Sequence, residues 1–306
     1  MSTTHSASRI TSRTATRSIR RSSVHPAAHP MPHPSKPAHA SAFAATQPPL
    51  LRALRGEWSQ LRFDAAGFYI LLFTTVITVA WSAASSNLVI RYGGEDAAPS
   101  ARAAISGVFQ FAMYGLFIWI ARYLLREERT GFAKLKLLSL PNRFAIWVAK
   151  WVWLTIIAIA SMMVMAVLST AVTLGSLALT DQPWQRFVGA SAAEYLKLGV
   201  MITIIAVGTV AFGVAVAIFT NNLSSALTML FMWVLVIEGM LNGADESTRI
   251  LYSLLPFKNG TRVFENPPME WFMWNSTVSV GYFLVVTIGL AALAIALNKS
   301  KMTRDE

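Results

Sequence analysis

Between two apolar runs, residues 104–125 and 146–179, the chain reads REERTGFAKLKLLSLPNR over residues 126–143. Either run can cross a hydrocarbon core of roughly 30 Å, which takes about 20 apolar residues of helix. The charged stretch is the only strong one in a region, from about Ala66 to Leu297, that is otherwise a series of apolar runs. Two spans joined by a compact polar segment therefore set the class, and the rest of the chain extends the pattern.

Four more runs follow the same measure, so the predicted spans are about 66–86, 104–125, 146–179, 198–220, 226–241 and 277–297, the fifth being the shortest. None alternates apolar and polar residues as a barrel strand would, and helices are the other structure that satisfies its own backbone in lipid. The expectation is an all-α polytopic membrane protein of six transmembrane helices. A content of 54% hydrophobic and 13% charged residues excludes an ordinary soluble domain. The mean hydropathy of +0.49 agrees.

Basic residues stay on the cytoplasmic side of spans. Arg52, Arg55 and Arg62 precede the first span, Arg122 to Lys150 surround the segment between the second and third, and Lys299, Lys301 and Arg304 follow the sixth. The loops of opposite parity, 91–102 and 181–197, are near charge balance. Both termini are thus expected in the cytoplasm and the protein in the cell membrane. Residues 242–276 then face outward, with Trp271 and Trp274 as interfacial anchors.

The net charge of +11 sits beside spans and in the first tail, with no aromatic platform for bases, so anionic lipid explains it and nucleic acid is not an expected partner. There is no cysteine, which removes disulfides, thiol catalysis and thiolate metal sites. Residues 1–48 are rich in Ser, Thr, Arg, Ala, Pro and His and contain no acid, so they form no core. They read as a disordered cytoplasmic tail. A transit peptide has similar composition, but residues 26–49 are too proline-rich for its amphipathic helix. The first apolar run begins too late for a secretory signal. All five histidines, His5, His25, His29, His33 and His39, lie in this tail without ligand spacing, and no metal site is expected.

Residues 49–306 form the transmembrane domain. Leu51, Leu54, Trp58 and Leu61 recur at helical spacing and share a face, while Arg52, Arg55 and Arg62 lie elsewhere, which predicts an interfacial helix over 50–63. It either positions the first span or takes part in transmission. Within 126–143, Gly131 permits a turn, Phe132, Leu135 and Leu138 suit a short helix, and Pro141 stops it. The product is an amphipathic knob that can serve as a docking surface or as a plain positive-inside loop.

These features resemble the six-span permease subunits of bacterial ABC-2 type ABC exporters. Glu127, Gly131, Leu137, Leu138, Pro141 and Arg143 match the family's segment after span two. Residues 54–62, LRGEWSQLR, match its start before span one, and the outer motif Leu254-Leu255-Pro256-Phe257 also fits. The chain departs at Glu128, where an aromatic is common, and at Phe132, where Thr is usual. The resemblance implies a translocation path, formed as a homodimer or heterodimer, that couples to a separate ATP-binding cassette ATPase. The implied coupling residues are Glu127, Glu128, Arg129, Gly131, Phe132, Leu135, Leu138, Pro141 and Arg143, with Arg55, Glu57, Trp58 and Arg62 on the interfacial helix. ATP and Mg belong to the partner, since this chain has no Gly-x-x-x-x-Gly-Lys-Ser/Thr loop.

Glu238 is the outstanding acid inside a span, and an acid in hydrocarbon costs a few kcal/mol unless it faces protein or water. It lines a path or sits near the outer surface before Asn242, Asp245 and Glu246. Leu255, Pro256 and Phe257 belong to an apolar piece that can fold back into the outer membrane half as a re-entrant gate, or simply pack. Gly208, Gly213 and neighbouring alanines suit close helix contact, and Met162, Met163 and Met165 adaptable packing. An enzyme lacks candidate catalytic groups here. A membrane scaffold with a lipid-binding basic tail remains the alternative to a transporter.

Overall fold

A computed structural model describes residues 48–92, 101–130, 143–179, 191–240, 246–262 and 272–302. A first unit, Met1–Ala45, lies outside the described residues, so the expected tail is not seen; all the helices belong to a second unit, Thr46–Glu306. These are α1 (Pro49–Arg62), α2 (Ala65–Tyr92), α3 (Ala101–Thr130), α4 (Arg143–Leu179), α5 (Ala192–Thr220), α6 (Leu223–Met240), α7 (Glu246–Ser253), α8 (Pro256–Thr261) and α9 (Ser276–Met302). No strand occurs among the described residues.

Five of these helices, α2, α4 from Phe144, α5, α6 and α9 to Leu297, are long and apolar enough to cross a membrane, which marks a multi-pass membrane protein. The helices overrun the apolar runs at most ends. Hydropathy stops at the first polar residue, whereas the i to i−4 ladder continues through Arg, Ser and Asn at no cost in water. α4 reaches 37 residues, or about 55 Å at 1.5 Å per residue, so it protrudes well beyond a bilayer core. α3, 30 residues long, is buried on nearly every side, from Val108 and Phe109 through Leu116, Phe117 and Ile120 to Leu124. A helix apolar all round belongs at the centre of a bundle. It packs against α2, α4, α5 and α6.

α2 displays the inverted polarity of a lipid-facing helix. Phe68, Phe73, Val76 and Trp81 are exposed, while Gly67, Thr74, Thr78, Ser82 and Ser86 form its buried stripe. The hydroxyls stay bonded without water. Thr74 donates to the Ile70 carbonyl at 2.8 Å and Thr78 to that of Thr74 at 2.7 Å. Ser82 donates to the Ala104 carbonyl of α3 at 3.3 Å, and Ser86 shares a 2.9 Å hydrogen bond with Thr173 of α4. Small hydroxyl residues thus let three helices approach closely while remaining satisfied.

The α5–α6 reversal takes only two residues. Asn221 adopts the left-handed conformation at φ 49°, and the Asn222 side chain accepts from the Ser224 and Ser225 amides at 2.9 and 3.4 Å. One asparagine ends a helix and the next starts another. α5 itself opens on a capping box between Ser191 and Glu194.

The small residues of α5 are buried as their size suggests. Ala211 and Ala215 face Ala291 and Ala294 of α9, and Gly208 lies under the Phe283 ring. A Cβ at 208 would fall 2.3 Å from that ring. Gly208→Ala should therefore lower stability in detergent by about 1–3 kcal/mol, the range for overpacking. Phe283→Leu should recover part of the loss in the double variant, read as thermal unfolding midpoints.

Candidate functional site

Two polar assemblies are each built on a buried carboxylate, Glu238 and Glu57. The first is built on α6, which is α-helical to Phe231, carries a π stretch over Met232–Ile237, and closes with Glu238–Met240. The Glu238 amide bonds to the Trp233 carbonyl, five residues back. That wider turn brings the two side chains to the same side, and the Trp233 indole N–H donates to Glu238 Oε1 at 2.9 Å.

Glu238 is 2% exposed. Its carboxylate also accepts from the Phe257 amide through Oε1 at 3.1 Å and from the Lys258 amide through Oε2 at 3.0 Å. Those amides belong to the first turn of α8, where the N-cap position is held by Leu255, which has no acceptor to offer. Pro256, at the first helical position, has no N–H to satisfy. Glu238 therefore caps α8 from another helix. Leu255, Pro256 and Phe257 are thus brought together with Glu238.

Phe257 anchors the other side of this turn. Its ring lies 5.7, 5.2 and 5.4 Å from those of Phe117 on α3, Phe212 on α5 and Phe283 on α9, mostly edge to face. Phe117 is 16 residues into α3, so Phe257 reaches about 24 Å along that helix. Behind it, the Asn259 amide donates to the Ser253 and Leu255 carbonyls, both at 2.8 Å, and its oxygen accepts from the Trp274 indole at 2.6 Å. Arg262 donates to the Trp274 carbonyl and to Ser279, 3.2 Å away, and its guanidinium covers the Phe272 ring at 4.1 Å. Tyr282 donates to the Leu254 carbonyl at 2.8 Å. Trp274 thus uses its indole inside the protein, while Trp271 lies outside the described residues.

Beside Glu238 opens a cavity of about 540 Å³, lined by Phe109, Met113 and Tyr114 of α3, Leu235 of α6, and Phe257 and Lys258 of α8. It is apolar on the α3 side and carries the carboxylate and the Lys258 side chain on the other. With three donors aimed at it, the carboxylate holds backbone in place rather than serving as a free base.

The second assembly ties α1 to the bundle. Glu57, fully buried, accepts from the Tyr123 hydroxyl of α3 and lies 3.5 Å from Lys150 Nζ of α4. Lys150 reaches Glu127, at the end of α3, at 2.7 Å, and sits 5.1 Å from the Tyr123 ring centre. Next to it, Asp64 accepts from Arg122 at 3.0 Å and Arg126 at 3.2 Å. Trp153 donates to the Leu54 carbonyl at 2.9 Å and stacks on Trp58 at 4.6 Å. α1 accordingly buries Ala53 and Glu57 against α4 while Leu51 and Trp58 remain half exposed. Of the apolar face read from the sequence, Leu54 and Leu61 pack against the core, while Leu51 and Trp58 keep one side open.

Of the expected coupling residues, Glu127 joins this cluster. Glu128 and Arg129 continue α3 and Arg143 opens α4. Gly131, Phe132, Leu135, Leu138 and Pro141 lie outside the described residues, as does the short helix expected there. Arg55 and Arg62 are on the exposed side of α1. Sequence reasoning missed the roles of Lys150, Tyr123, Asp64 and Asn259; the clue was a lone Lys inside the apolar run AIWVAKWVW and a lone Asp at the mouth of a span. No family model and no curated protein matches this chain.

Glu238→Ala leaves three donors without their acceptor, each costing about 1–3 kcal/mol when buried, and should lower the unfolding midpoint more than Glu238→Gln. Lys150→Met leaves the buried Glu57 and the partly buried Glu127 without their cation and should cost about 3–5 kcal/mol, the range for a broken buried pair. Adding Glu57→Gln should restore part of that loss, and a double-mutant cycle on the purified protein measures it.

Proposed function

We propose that this chain is the membrane-spanning permease subunit of an ATP-driven exporter of the ABC-2 type, in the cell membrane with both termini in the cytoplasm. It forms the translocation path as a homodimer or heterodimer and takes its energy from a separate ATP-binding cassette ATPase, which carries the ATP and Mg. In this reading α3 is the second of six spans. α7 and α8 form a re-entrant hairpin at the outer end, and Glu238 fixes its tip within the bundle. The chain is no enzyme itself.

The observation that carries the reading is the Glu127–Lys150 pair at 2.7 Å. It ties the end of α3 to the start of α4 across the base of residues 128–142, the segment that resembles the family's ATPase-docking element. Glu57 links the same lysine to α1. A displacement of that segment is then passed to three helices together, because buried ion pairs resist separation far more than exposed ones. At the other end, the cavity beside Glu238 and the hairpin that walls it supply the parts of a path and its closure.

The test is affinity purification of the tagged chain from native membranes in mild detergent, with mass spectrometry of what accompanies it. Recovery of an ATPase bearing a phosphate-binding loop is expected, and replacement of residues 127–138 should abolish it. Intact protein that carries no ATPase would favour the scaffold reading instead.

A further inference from the structure

The junction of α1 and α2 contains a groove of about 410 Å³ that the exporter reading does not use. Its volume falls within the roughly 300–1,000 Å³ of small-molecule sites. Trp58 and Arg62 of α1, Ala65 and Phe68 of α2, Trp119 of α3 and Ile157 of α4 contribute to its walls. Three observations bear on what fills it.

The groove stands at the boundary between an amphipathic surface helix and a span. Leu50, Leu51, Trp58 and Phe63 are exposed on α1, Phe63 at 80%, and Phe68, Tyr69, Leu72 and Phe73 are exposed on the adjoining part of α2. Apolar faces that meet at such a corner adjoin the acyl region, and Trp and Tyr are the residues of the headgroup level. A soluble anion would leave these walls uncovered.

The charge is positive. Arg62 is exposed at the rim and pairs with no acid among the described residues. Asp64 is answered by both Arg122 and Arg126. Arg122 and Arg126 lie outside the groove's lining and offset Asp64, which leaves Arg62 as the lining's uncompensated charge.

The groove's inner wall holds an unused donor. Trp119 is 2% exposed, and its indole N–H has no hydrogen-bond partner among the described residues. A phosphate or ester oxygen entering the groove would accept from it.

We infer that this groove binds one membrane phospholipid with an anionic headgroup. The phosphate lies toward Arg62, a glycerol or ester oxygen at Trp119, and the upper part of an acyl chain along Trp58, Phe68 and Ile157. The lipid wedges between α1 and α2 and adds to the ties that Glu57 and Trp153 make.

The full chain, purified in mild detergent, is titrated with phosphatidylglycerol or phosphatidylcholine and followed by native mass spectrometry. Phosphatidylglycerol should be retained about fivefold more, the factor one basic residue contributes at an anionic surface. Arg62→Gln, at an exposed position, should reduce its retention to that of phosphatidylcholine. Ala65→Phe, which fills the groove from another exposed position, should remove retention of both. Unfolding midpoints equal to the parent in lipid-free detergent show that both variants fold. Equal retention of the two lipids by the parent, or a preference unchanged in Arg62→Gln and Ala65→Phe, would overturn the site.

Discussion

A buried polar group has only protein to bond to, and in this chain that constraint shapes the first turn of α8. The turn packs Phe257 among Phe117, Phe212 and Phe283, and the residue before it is a leucine. A carboxylate from α6 supplies what a Ser or Asp cap supplies in a soluble helix. The π stretch exists in the same frame, since Trp233 can reach Glu238 only when the turn between them takes five residues. Hairpin, bulge, acid and cavity are thus one arrangement.

The opposite, basic end solves the same problem with charge in place of amides. Glu57 is buried on α1 because Tyr123 and Lys150 meet it, and Lys150 is tolerated among aromatics because two acids meet it. Such a cluster adds little to net stability, as desolvation offsets most of the attraction. What it contributes is geometry: α1, α3 and α4 can separate only by exposing an uncompensated charge.

Between the two ends the bundle is held by close approach. The hydroxyl stripe of α2, the alanines and Gly208 of α5 and the alanines of α9 bring backbones together, and the large apolar residues of α2 turn outward. Lipid offers no hydrophobic drive for helix association, so dispersion and a few hydroxyl bonds carry it. The groove at the α1–α2 corner belongs to this outer surface, where protein packing ends and lipid begins.

Much of this was legible in the residues. The five long apolar helices follow from hydropathy because the cost of exposing backbone and charge in lipid is local and additive along the chain. The helix α1 follows from its periodicity, and the singularity of Glu238 from its being the lone acid of its run. What sequence could not provide was the partner of each polar group. That Lys150 meets Glu57 from 93 residues away, that Glu238 caps Phe257 and Lys258, and that α1 buries its glutamate while its tryptophan stacks on Trp153 depend on which helix faces which. Periodicity assigns a residue to a face of its own helix, but only tertiary packing decides what that face meets.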